Sequence, residues 1–265
     1  MKKIKPMGLC KQTNSLPAQY PRSVLRYPGG KTRAVKQICS YIPTNEKLLC
    51  SPFLGGASVE LACSTRMLVY GYDVFEPLIA FWHEVLTAPG ELAAAVNRYY
   101  PLSRTNFYKL QKTFTMLRSR LSRAAAFYVL NRASFSGTTL SGGMSPGHPR
   151  FTKSSIQRLK EFRATNFKVH MMDFRESIER HKDAFLYLDP PYLIGQALYG
   201  LQGDAHRGFD HAALADILHN RNRWILSYND CVEIRKCYKG YRILELEWAY
   251  GMNKSRSSNE ILIIG

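Results

Sequence analysis

Seven short runs of apolar residues, separated mostly by segments with helical spacing, constrain the fold of this chain more than any other feature. The runs cover residues 48–53, 67–72, 168–172, 184–188, 224–228, 241–248 and 261–264. Runs that are largely apolar, rather than strictly alternating with polar residues, are typical of strands buried on both faces of a sheet. Because helices separate most of them, we predict an α/β fold in which residues 261–264 form the last edge strand.

Composition supports a folded chain with a large core. The 265 residues are 45% hydrophobic and only 22% charged, which excludes a disordered, collagen-like or miniature protein. The six cysteines include no C-x-x-C pair and have no histidine at zinc spacing, so we expect reduced thiols and no metal. No stretch approaches the roughly 20 apolar residues of a membrane-spanning helix, so we expect no membrane partner and a cytoplasmic location.

Positive charge is concentrated in one part of the sequence. The net charge is +17, and residues 92–160 contain twelve Lys or Arg but no Asp or Glu. Ordinary solvated surfaces mix both signs, so an acid-free stretch interleaved with aromatic residues favours binding to a phosphate backbone. A basic patch for a ribosome or a membrane surface is the alternative. Within the stretch, Arg118, Arg120 and Arg123 are candidate DNA contacts.

The chain divides where its composition changes. Residues 1–22 are polar and basic and contain three prolines, which predicts a flexible N-terminal arm. Residues 91–130 have apolar side chains at helical spacing, so the basic stretch is predicted to be a helical insert. Residues 134–149 are rich in Ser, Gly and Pro, which predicts a long exposed loop with a functional role.

A glycine-containing turn, Phe53-Leu54-Gly55-Gly56, connects a predicted strand to a predicted helix. Glycines let a ligand approach the backbone, and a helix start offers free N–H groups to a nucleotide-like ligand. Asp73 ends the next predicted strand, where a carboxylate can accept hydrogen bonds from ribose hydroxyls. The alternative is a turn that serves only helix–strand packing. The turn lacks the Gly-Lys-Ser/Thr end of a phosphate-binding loop, which disfavours a nucleoside triphosphate site.

The tetrapeptide Asp189-Pro190-Pro191-Tyr192 directly follows the apolar run at 184–188 and is the most specific motif of the chain. Two prolines fix φ and remove two N–H donors, which leaves a rigid turn with outward-facing carbonyl groups. An amino group held by the Asp189 carboxylate and the Pro190 carbonyl would have its lone pair freed for attack. The Tyr192 ring offers a stacking face for a planar base. The alternative is a rigid turn with a purely structural role.

Four ordered motifs, which span nearly the whole chain, resemble those of the Dam-like (D12 class) N6-adenine DNA methyltransferases. The motifs are LRYPGGK at 25–31, PFLGGAS at 52–58, LNRASFSG at 130–137 and DPPY at 189–192. They are similar to that family's N-terminal motif, its glycine loop, a segment of its DNA-reading domain and its catalytic tetrapeptide. Ser51 departs from the Glu that many members have before the Pro-Phe pair, and Tyr27 replaces the more common Trp.

The resemblance implies a Rossmann-like, S-adenosylmethionine-dependent methyltransferase with a mixed sheet and helices on both faces. Residues 23–90 and 166–265 would form the catalytic domain. Residues 91–165 would form an inserted, mostly helical DNA-recognition domain, preceded in the chain by the arm at 1–22 and the first catalytic segment.

Position by position, the resemblance also implies roles for individual residues. The implied contacts with S-adenosyl-L-methionine are Tyr27, Lys31, Phe53, Gly55, Asp73, Asp173 and Asp189, with Asp173 or Phe174 near the adenine ring. The implied catalytic residues, which hold the target base, are Asp189, Pro190, Pro191 and Tyr192. The implied DNA contacts are Asn131, Arg132, Ser134 and Ser136.

The implied reaction is methyl transfer from S-adenosyl-L-methionine to N6 of an adenine flipped out of double-stranded DNA, without a metal or a covalent intermediate. One alternative is a methyltransferase of the same fold that acts on N4 of cytosine or on RNA. The other is a DNA-binding regulator that has lost catalysis. A bacterial or phage-encoded enzyme acting in the cytoplasm is expected, and the sequence leaves open its recognition site, its oligomeric state and any pairing with a restriction nuclease.

Overall fold

The computed structural model describes residues 19–146, 150–193, 208–246 and 260–265. The strands found there are β1 (Leu48–Ser51), β2 (Leu68–Asp73), β3 (Phe167–Met171), β4 (Phe185–Leu188), β5 (Trp224–Asn229), β6 (Arg242–Leu246) and β7 (Glu260–Ile264). The helices are α1 (Val35–Cys39), α2 (Ser58–Cys63), α3 (Glu76–Thr87), α4 (Pro89–Asn97), α5 (Arg104–Thr113), α6 (Arg120–Ala133), α7 (Lys153–Lys160), α8 (Phe174–Arg180), α9 (His211–His219) and α10 (Val232–Cys237).

Each apolar run predicted to be a strand is one, with ends that agree to within two residues. The last two residues of the run at 241–248 lie outside the described residues. So does most of the predicted arm at 1–22. The apolar pattern therefore located the sheet correctly wherever the structure describes it.

The strands form one sheet in the order β3-β2-β1-β4-β5-β7-β6. Neighbours from β3 to β5 are parallel, and β7 runs antiparallel between β5 and β6. The prediction that residues 261–264 form an edge strand is wrong. All of β7 is buried, whereas Arg242 and Glu245 of β6 are exposed, so β6 is the strand suited to the edge.

Alternate residues of the central strands enter two separate hydrophobic clusters. In β4, Phe185 and Tyr187 pack in the cluster formed with α1 to α7, whereas Leu186 and Leu188 pack in the cluster formed with α8 to α10. Successive side chains of a strand point to opposite faces, so the two clusters lie on the two sides of the sheet. The predicted mixed sheet with helices on both faces is confirmed.

The acid-free stretch is largely helical, and its helix α6 packs against α3. Ser103, Ser119 and Thr152 precede α5, α6 and α7, and each accepts a hydrogen bond from a backbone N–H of the first helical turn. Phe107 of α5 lies in the same hydrophobic cluster as Trp82 of α3. Because the stretch shares a core with the sheet, its extent as a separate inserted domain stays a prediction.

Residues 134–146 are irregular, but they are not simply the exposed loop that their composition predicts. Ser134 pairs with Met144 in an isolated antiparallel bridge, and both Ser134 and Thr139 are buried. The Gln111 side chain lies 2.8 to 3.2 Å from three carbonyl oxygens of the loop. Side-chain donors satisfy the backbone acceptors, which is why a Ser- and Gly-rich segment can be buried here. Residues 147–149 of the predicted loop lie outside the described chain.

Candidate active site

A cleft of about 510 Å³ opens at the carboxyl ends of β1, β2 and β4. These strands are parallel, so the loops that follow them meet at one edge of the sheet. The volume lies within the roughly 300–1,000 Å³ typical of small-molecule sites. The cleft brings together all the residues predicted to bind the cofactor or hold the target base, namely Tyr27, Lys31, Phe53, Gly55, Asp73, Asp173, Asp189, Pro190, Pro191 and Tyr192.

The Tyr27 ring packs against the glycine turn and forms part of the cleft lining. Gly55 has a φ of +48°, and a Cβ atom there would lie 3.1 Å from the Tyr27 ring. A Cβ atom on Gly56 would lie 2.8 Å from Tyr27 Cβ. The Gly55 carbonyl accepts a hydrogen bond from the Trp82 indole at 3.0 Å, which fixes the turn. Both glycines therefore serve packing, and the packing places an aromatic ring at the cleft.

Asp73, the last residue of β2, binds the turn from the neighbouring strand. Its Oδ2 accepts a hydrogen bond from the Gly55 N–H at 3.2 Å, and its Oδ1 accepts one from the Phe75 N–H at 3.0 Å. Burial raises the pKa of Asp73, and the backbone N–H groups oppose this rise. A carboxylate has about four acceptor positions, so Asp73 keeps capacity for hydroxyl donors of a ligand.

Three phenylalanines from separate segments form an apolar wall. The Phe53 ring lies 5.6 Å from Phe174 and 5.4 Å from Phe209, and the last two rings are 5.3 Å apart. Asp173, which is half-exposed, accepts a hydrogen bond from the Arg175 N–H at 2.9 Å and so caps the start of α8. The phenylalanine wall offers apolar faces to a planar ring, with a carboxylate beside it.

Lys31 and Asp189 form an ion pair in the cleft. Lys31 is only 4% exposed, and its Nζ donates to Asp189 Oδ2 and to the Gly29 carbonyl, each at 2.8 Å. A second carboxylate oxygen, Glu260 Oε2, lies 3.9 Å from the same Nζ. Burial raises the pKa of Asp189 to about 6, with Lys31 opposing the rise and Glu260 adding to it. Asp189 is therefore ionised at neutral pH, although it is buried.

Asp189 also holds an acceptor that no described residue satisfies. Its Oδ1 is buried and has no hydrogen-bond partner within the described ranges. Buried polar atoms are normally paired, so this oxygen is suited to a donor on a ligand. The Tyr192 ring, three residues further on, lies 5.2 Å from Lys31 Nζ and 6.0 Å from the Tyr228 ring. The two-proline turn therefore places an acceptor and an aromatic ring in the same cleft.

Asn131, a predicted DNA contact, is fully buried in α6 and joins the LNRASFSG segment to the N-terminal motif. Its Oδ1 accepts a hydrogen bond from the Arg26 N–H at 2.8 Å, and its Nδ2 lies 2.8 Å from the Arg26 carbonyl and 3.2 Å from the Gly137 carbonyl. A Cβ atom on Gly137 would collide with the Arg26 carbonyl. Backbone groups of the protein thus form hydrogen bonds with both polar atoms of the Asn131 side chain, and this geometry supports a structural role.

The other predicted contacts in this segment differ in accessibility. Ser134 is buried, and Arg132 donates two hydrogen bonds to the Arg150 carbonyl at 3.0 and 3.1 Å. Ser136 is exposed, and the neighbouring Phe135 exposes 63% of its surface. Ser136 and Phe135 are therefore the exposed residues of this segment that a DNA partner could contact.

The three arginines near the start of α6 are not equivalent. Arg120 Nε lies 2.6 Å from Glu84 Oε1, and Arg123 lies 2.9 Å from Glu76 Oε1, so both are paired with carboxylates of α3. Arg118 is exposed just before the helix. Replacing Arg120 and Arg123 with neutral residues would disturb packing against α3 as well as any DNA contact.

Phe209 and Glu60 are among the cleft residues that were not predicted from the sequence. Phe209 is separated from the other motifs, and no pattern marks it. Glu60 lines the cleft although it lies between apolar residues of α2. A charged residue at a buried helical position is the signal that would have identified it.

The described residues contain no group of three or more His, Cys, Asp or Glu side chains that could hold a metal ion. No helix in the described part of the chain is long and apolar enough to span a bilayer.

Comparison with known proteins relates this cleft to one enzyme family. A family model described as D12 class N6 adenine-specific DNA methyltransferase matches residues 27–252. The match includes the N-terminal motif from Tyr27 onward, the glycine turn, the acid-free stretch and the tetrapeptide.

Three individual relatives share between 21% and 26% identical residues with this chain. A DNA N-6-adenine-methyltransferase of Escherichia phage P1 is 26% identical over 191 residues, which are 66% of this chain but only 24% of the phage protein. A type II methyltransferase of Lactococcus lactis subsp. cremoris, M1.LlaDCHI, is 22% identical over 82% of this chain and 76% of its own length. The type II methyltransferase M.CviBI of Paramecium bursaria Chlorella virus NC1A is 21% identical over 91% of this chain and 96% of its own length.

Proposed function

The chain belongs to the D12 class N6 adenine-specific DNA methyltransferase family, and from this premise we propose that it transfers a methyl group from S-adenosyl-L-methionine to N6 of adenine in double-stranded DNA. The observation that carries the proposal is the Asp189 carboxylate, which is paired with Lys31, keeps one buried oxygen unsatisfied within the described residues and shares a cleft with Tyr192. The family and the name of the phage relative do not favour N4 of cytosine, RNA or an inactive regulator.

The groups that line the cleft fit S-adenosyl-L-methionine. Asp73 keeps acceptor capacity for ribose hydroxyls, and the phenylalanine wall has faces for the adenine ring. Lys31, a buried cation in the cleft, supplies a positive charge for the carboxylate of the amino-acid portion. When bound, this cofactor supplies a methyl group on a positively charged sulfur, which makes the methyl carbon electrophilic.

Asp189 and Pro190 would hold the amino group of the target adenine. An exocyclic amine conjugated with its ring is a poor nucleophile because its lone pair is delocalised. Hydrogen bonds from its two N–H groups to the Asp189 carboxylate and the Pro190 carbonyl localise that lone pair on N6. The bond from N6 to the methyl carbon would then form in line as the carbon–sulfur bond breaks. The electron pair of the broken bond would stay on sulfur, which becomes a neutral thioether, and N6 would lose one proton to solvent. The protein contributes mainly position and electrostatics.

The target base has to leave the duplex to reach this cleft. The Tyr192 ring offers it a stacking face beside Asp189. Phe135 is exposed on the segment that Asn131 ties to Arg26, the residue before Tyr27. An exposed aromatic ring here is suited to fill the space that an extruded base leaves in the stack.

The reaction is tested by incubating double-stranded DNA with the protein and a donor labelled in its methyl group, and by separating the nucleosides after digestion. We expect the label in N6-methyldeoxyadenosine. Label in N4-methyldeoxycytidine would assign the chemistry to cytosine. DNA binding without any label would indicate the inactive regulator.

We further infer that the protein acts in the cytoplasm of a bacterium or of a phage-infected cell. The relatives from an Escherichia phage and from Lactococcus lactis support this location. Two relatives are named type II methyltransferases, which supports a role in restriction-modification.

Replacing Asp73 with alanine should weaken binding of S-adenosyl-L-methionine by about 1 to 3 kcal/mol, the cost of losing hydrogen bonds to a buried charged acceptor. Titration calorimetry on the variant measures the change. Because Asp73 also binds the Gly55 and Phe75 N–H groups, the circular dichroism spectrum must show that the variant is folded. Asp230→Ala, which removes a carboxylate paired with Arg235, is the control. An unchanged affinity in folded Asp73→Ala would exclude the ribose contact.

Affinity for DNA should fall steeply with salt, because neutralised phosphates release counterions. The slope of log K against log[salt] is about −0.9 per phosphate. Arg104 and Lys112 are exposed one helical turn either side of Tyr108, whose hydroxyl lies close to Gly143 of the loop at 134–146. Replacing both with glutamine should reduce the steepness of the slope by about 2, as measured by fluorescence anisotropy at several salt concentrations.

The matched control removes two exposed lysines outside the acid-free stretch, Lys168 of β3 and Lys239. Changing both to glutamine removes the same charge without altering the surface of α5. If the control lowers the slope as much as the α5 variant, net charge rather than this surface explains the salt dependence. A slope near zero for the unmodified protein would contradict backbone binding altogether.

A further inference from the structure

Glu60 is a buried carboxyl at the cleft that the proposed reaction has not yet used. It lies in the first turn of α2, is only 2% exposed and contributes to the cleft lining. The Ser51 hydroxyl at the end of β1 donates a hydrogen bond to Glu60 Oε1 at 2.6 Å. Burying a carboxyl in an otherwise apolar helix is costly. The Ser51 hydroxyl and the Glu60 backbone N–H donate to this carboxyl, and a carboxylate has about four acceptor positions, so capacity for a further donor is left.

The surroundings of Glu60 contain more acid than base. Lys31 is the cation of this part of the described structure, and it is already paired with Asp189 and lies 3.9 Å from Glu260. Burial raises the pKa of Glu60 to about 7. The hydrogen bonds from Ser51 and from the Glu60 backbone N–H oppose the rise, Asp189 adds to it, and Lys31 opposes it. Tyr187 of β4 and Cys63 of α2 also interact electrostatically with Glu60. Burial raises the pKa of Tyr187, and the hydrogen bond with Cys39 together with burial raises the pKa of Cys63, so both side chains are neutral. An additional cation would stabilise this cluster.

We propose that Glu60, oriented by Ser51, binds the α-ammonium group of the amino-acid portion of S-adenosyl-L-methionine. This assignment rests on the proposed function, because it assumes that S-adenosyl-L-methionine is the methyl donor that the cleft binds. The amino-acid portion is a zwitterion, and Lys31 and Glu60 supply one partner for each of its charges. In this chain the carboxylate comes from α2, and Ser51 at the end of β1 holds it in place through its hydrogen bond.

Titration calorimetry with three ligands tests this assignment on the full-length protein. Glu60→Gln keeps the size of the side chain and an acceptor for Ser51. It should weaken binding of S-adenosylmethionine and of S-adenosylhomocysteine about tenfold or more, since both contain the ammonium group. Binding of 5′-methylthioadenosine, which lacks the amino-acid portion, should be unchanged. The matched control is Glu84→Gln, which removes a buried carboxyl of α3 that is paired with Arg120 of α6. It should leave the affinity for all three ligands unchanged.

A second readout reports the proton on Glu60. Burial raises the pKa of Glu60 to about 7, so part of the Glu60 population carries a proton near neutral pH, and pairing with an ammonium group would release it. The binding enthalpy of the unmodified protein should therefore depend on the ionisation enthalpy of the buffer, and Glu60→Gln should lose most of that dependence.

The outcomes separate this inference from the function on which it rests. Equal affinities of Glu60→Gln and the unmodified protein for all three ligands would overturn the inference and leave the function intact. A loss confined to S-adenosylmethionine would overturn the ammonium assignment in favour of the sulfonium. Failure of the unmodified protein to bind any of the three would instead count against the proposed function itself.

Discussion

Replacing Asp189 with asparagine should lower the rate of methyl transfer about 100- to 1000-fold while binding of double-stranded DNA is retained. The amide keeps the shape of the side chain but loses the negative charge that would orient the target amine. It also removes the negative partner of the buried Lys31, which keeps the Gly29 carbonyl at 2.8 Å. Single-turnover rates with saturating donor and DNA measure the chemical step, and fluorescence anisotropy measures DNA affinity.

Asp210→Asn provides the matched control for this variant. Asp210 also lines the cleft, but it is paired with Arg175 and caps α9, a role that asparagine fills equally well. Its rate should stay within about threefold of the unmodified protein. An Asp189→Asn variant as fast as Asp210→Asn would show that the carboxylate does not hold the amine. Loss of DNA binding together with turnover would place Asp189 in DNA recognition instead.

The pH profile gives an independent readout of the same carboxylate. The form that accepts hydrogen bonds from the amine is the ionised one, and burial raises the pKa of Asp189 to about 6. The value of kcat/KM should therefore fall as the pH decreases through 6, by about tenfold for each further unit. A profile that is flat down to pH 5 would contradict an essential Asp189 carboxylate.

Much of the fold and the main cleft could be predicted from the sequence because the relevant signals are local. An apolar run such as residues 184–188 has few alternatives to a buried strand. Once the strands are parallel, Asp73 and Asp189 must lie at one edge of the sheet. Short motifs at strand ends therefore translate directly into a shared site.

Features that depend on distant segments could not be predicted in this way. The position of β7 inside the sheet is set by its pairing with both β5 and β6, which no local pattern reveals. The role of Asn131 depends on Arg26, which lies 105 residues earlier in the chain. The sequence shows Glu60 as a charged residue among apolar ones, but its contacts with Ser51 and Lys31 appear only in the folded structure. Each of these outcomes is a tertiary contact between segments that look ordinary alone.

The Asn131 contacts lead to the second prediction with a large effect. Asn131→Ala should lower the free energy of unfolding by about 3 kcal/mol, because it leaves the partly buried N–H and carbonyl groups of Arg26 without their Asn131 partner. It also removes one donor from the buried Gly137 carbonyl, which keeps the Thr139 hydroxyl. Since Arg26 precedes Tyr27, the loss should also loosen the cleft and weaken donor binding. Urea unfolding followed by circular dichroism measures the stability, and calorimetry measures donor affinity.

Ser136→Ala separates a structural role from a DNA contact in the same segment. Ser136 was predicted, like Asn131, to contact DNA, but it is exposed and its removal should change stability by less than about 0.5 kcal/mol. If Ser136 binds DNA, its variant should lose DNA affinity at unchanged stability, whereas Asn131→Ala should lose stability first. An Asn131→Ala variant that unfolds at the same urea concentration as the unmodified protein, yet binds DNA poorly, would assign Asn131 to DNA recognition and show that its contacts with Arg26 contribute little to the fold.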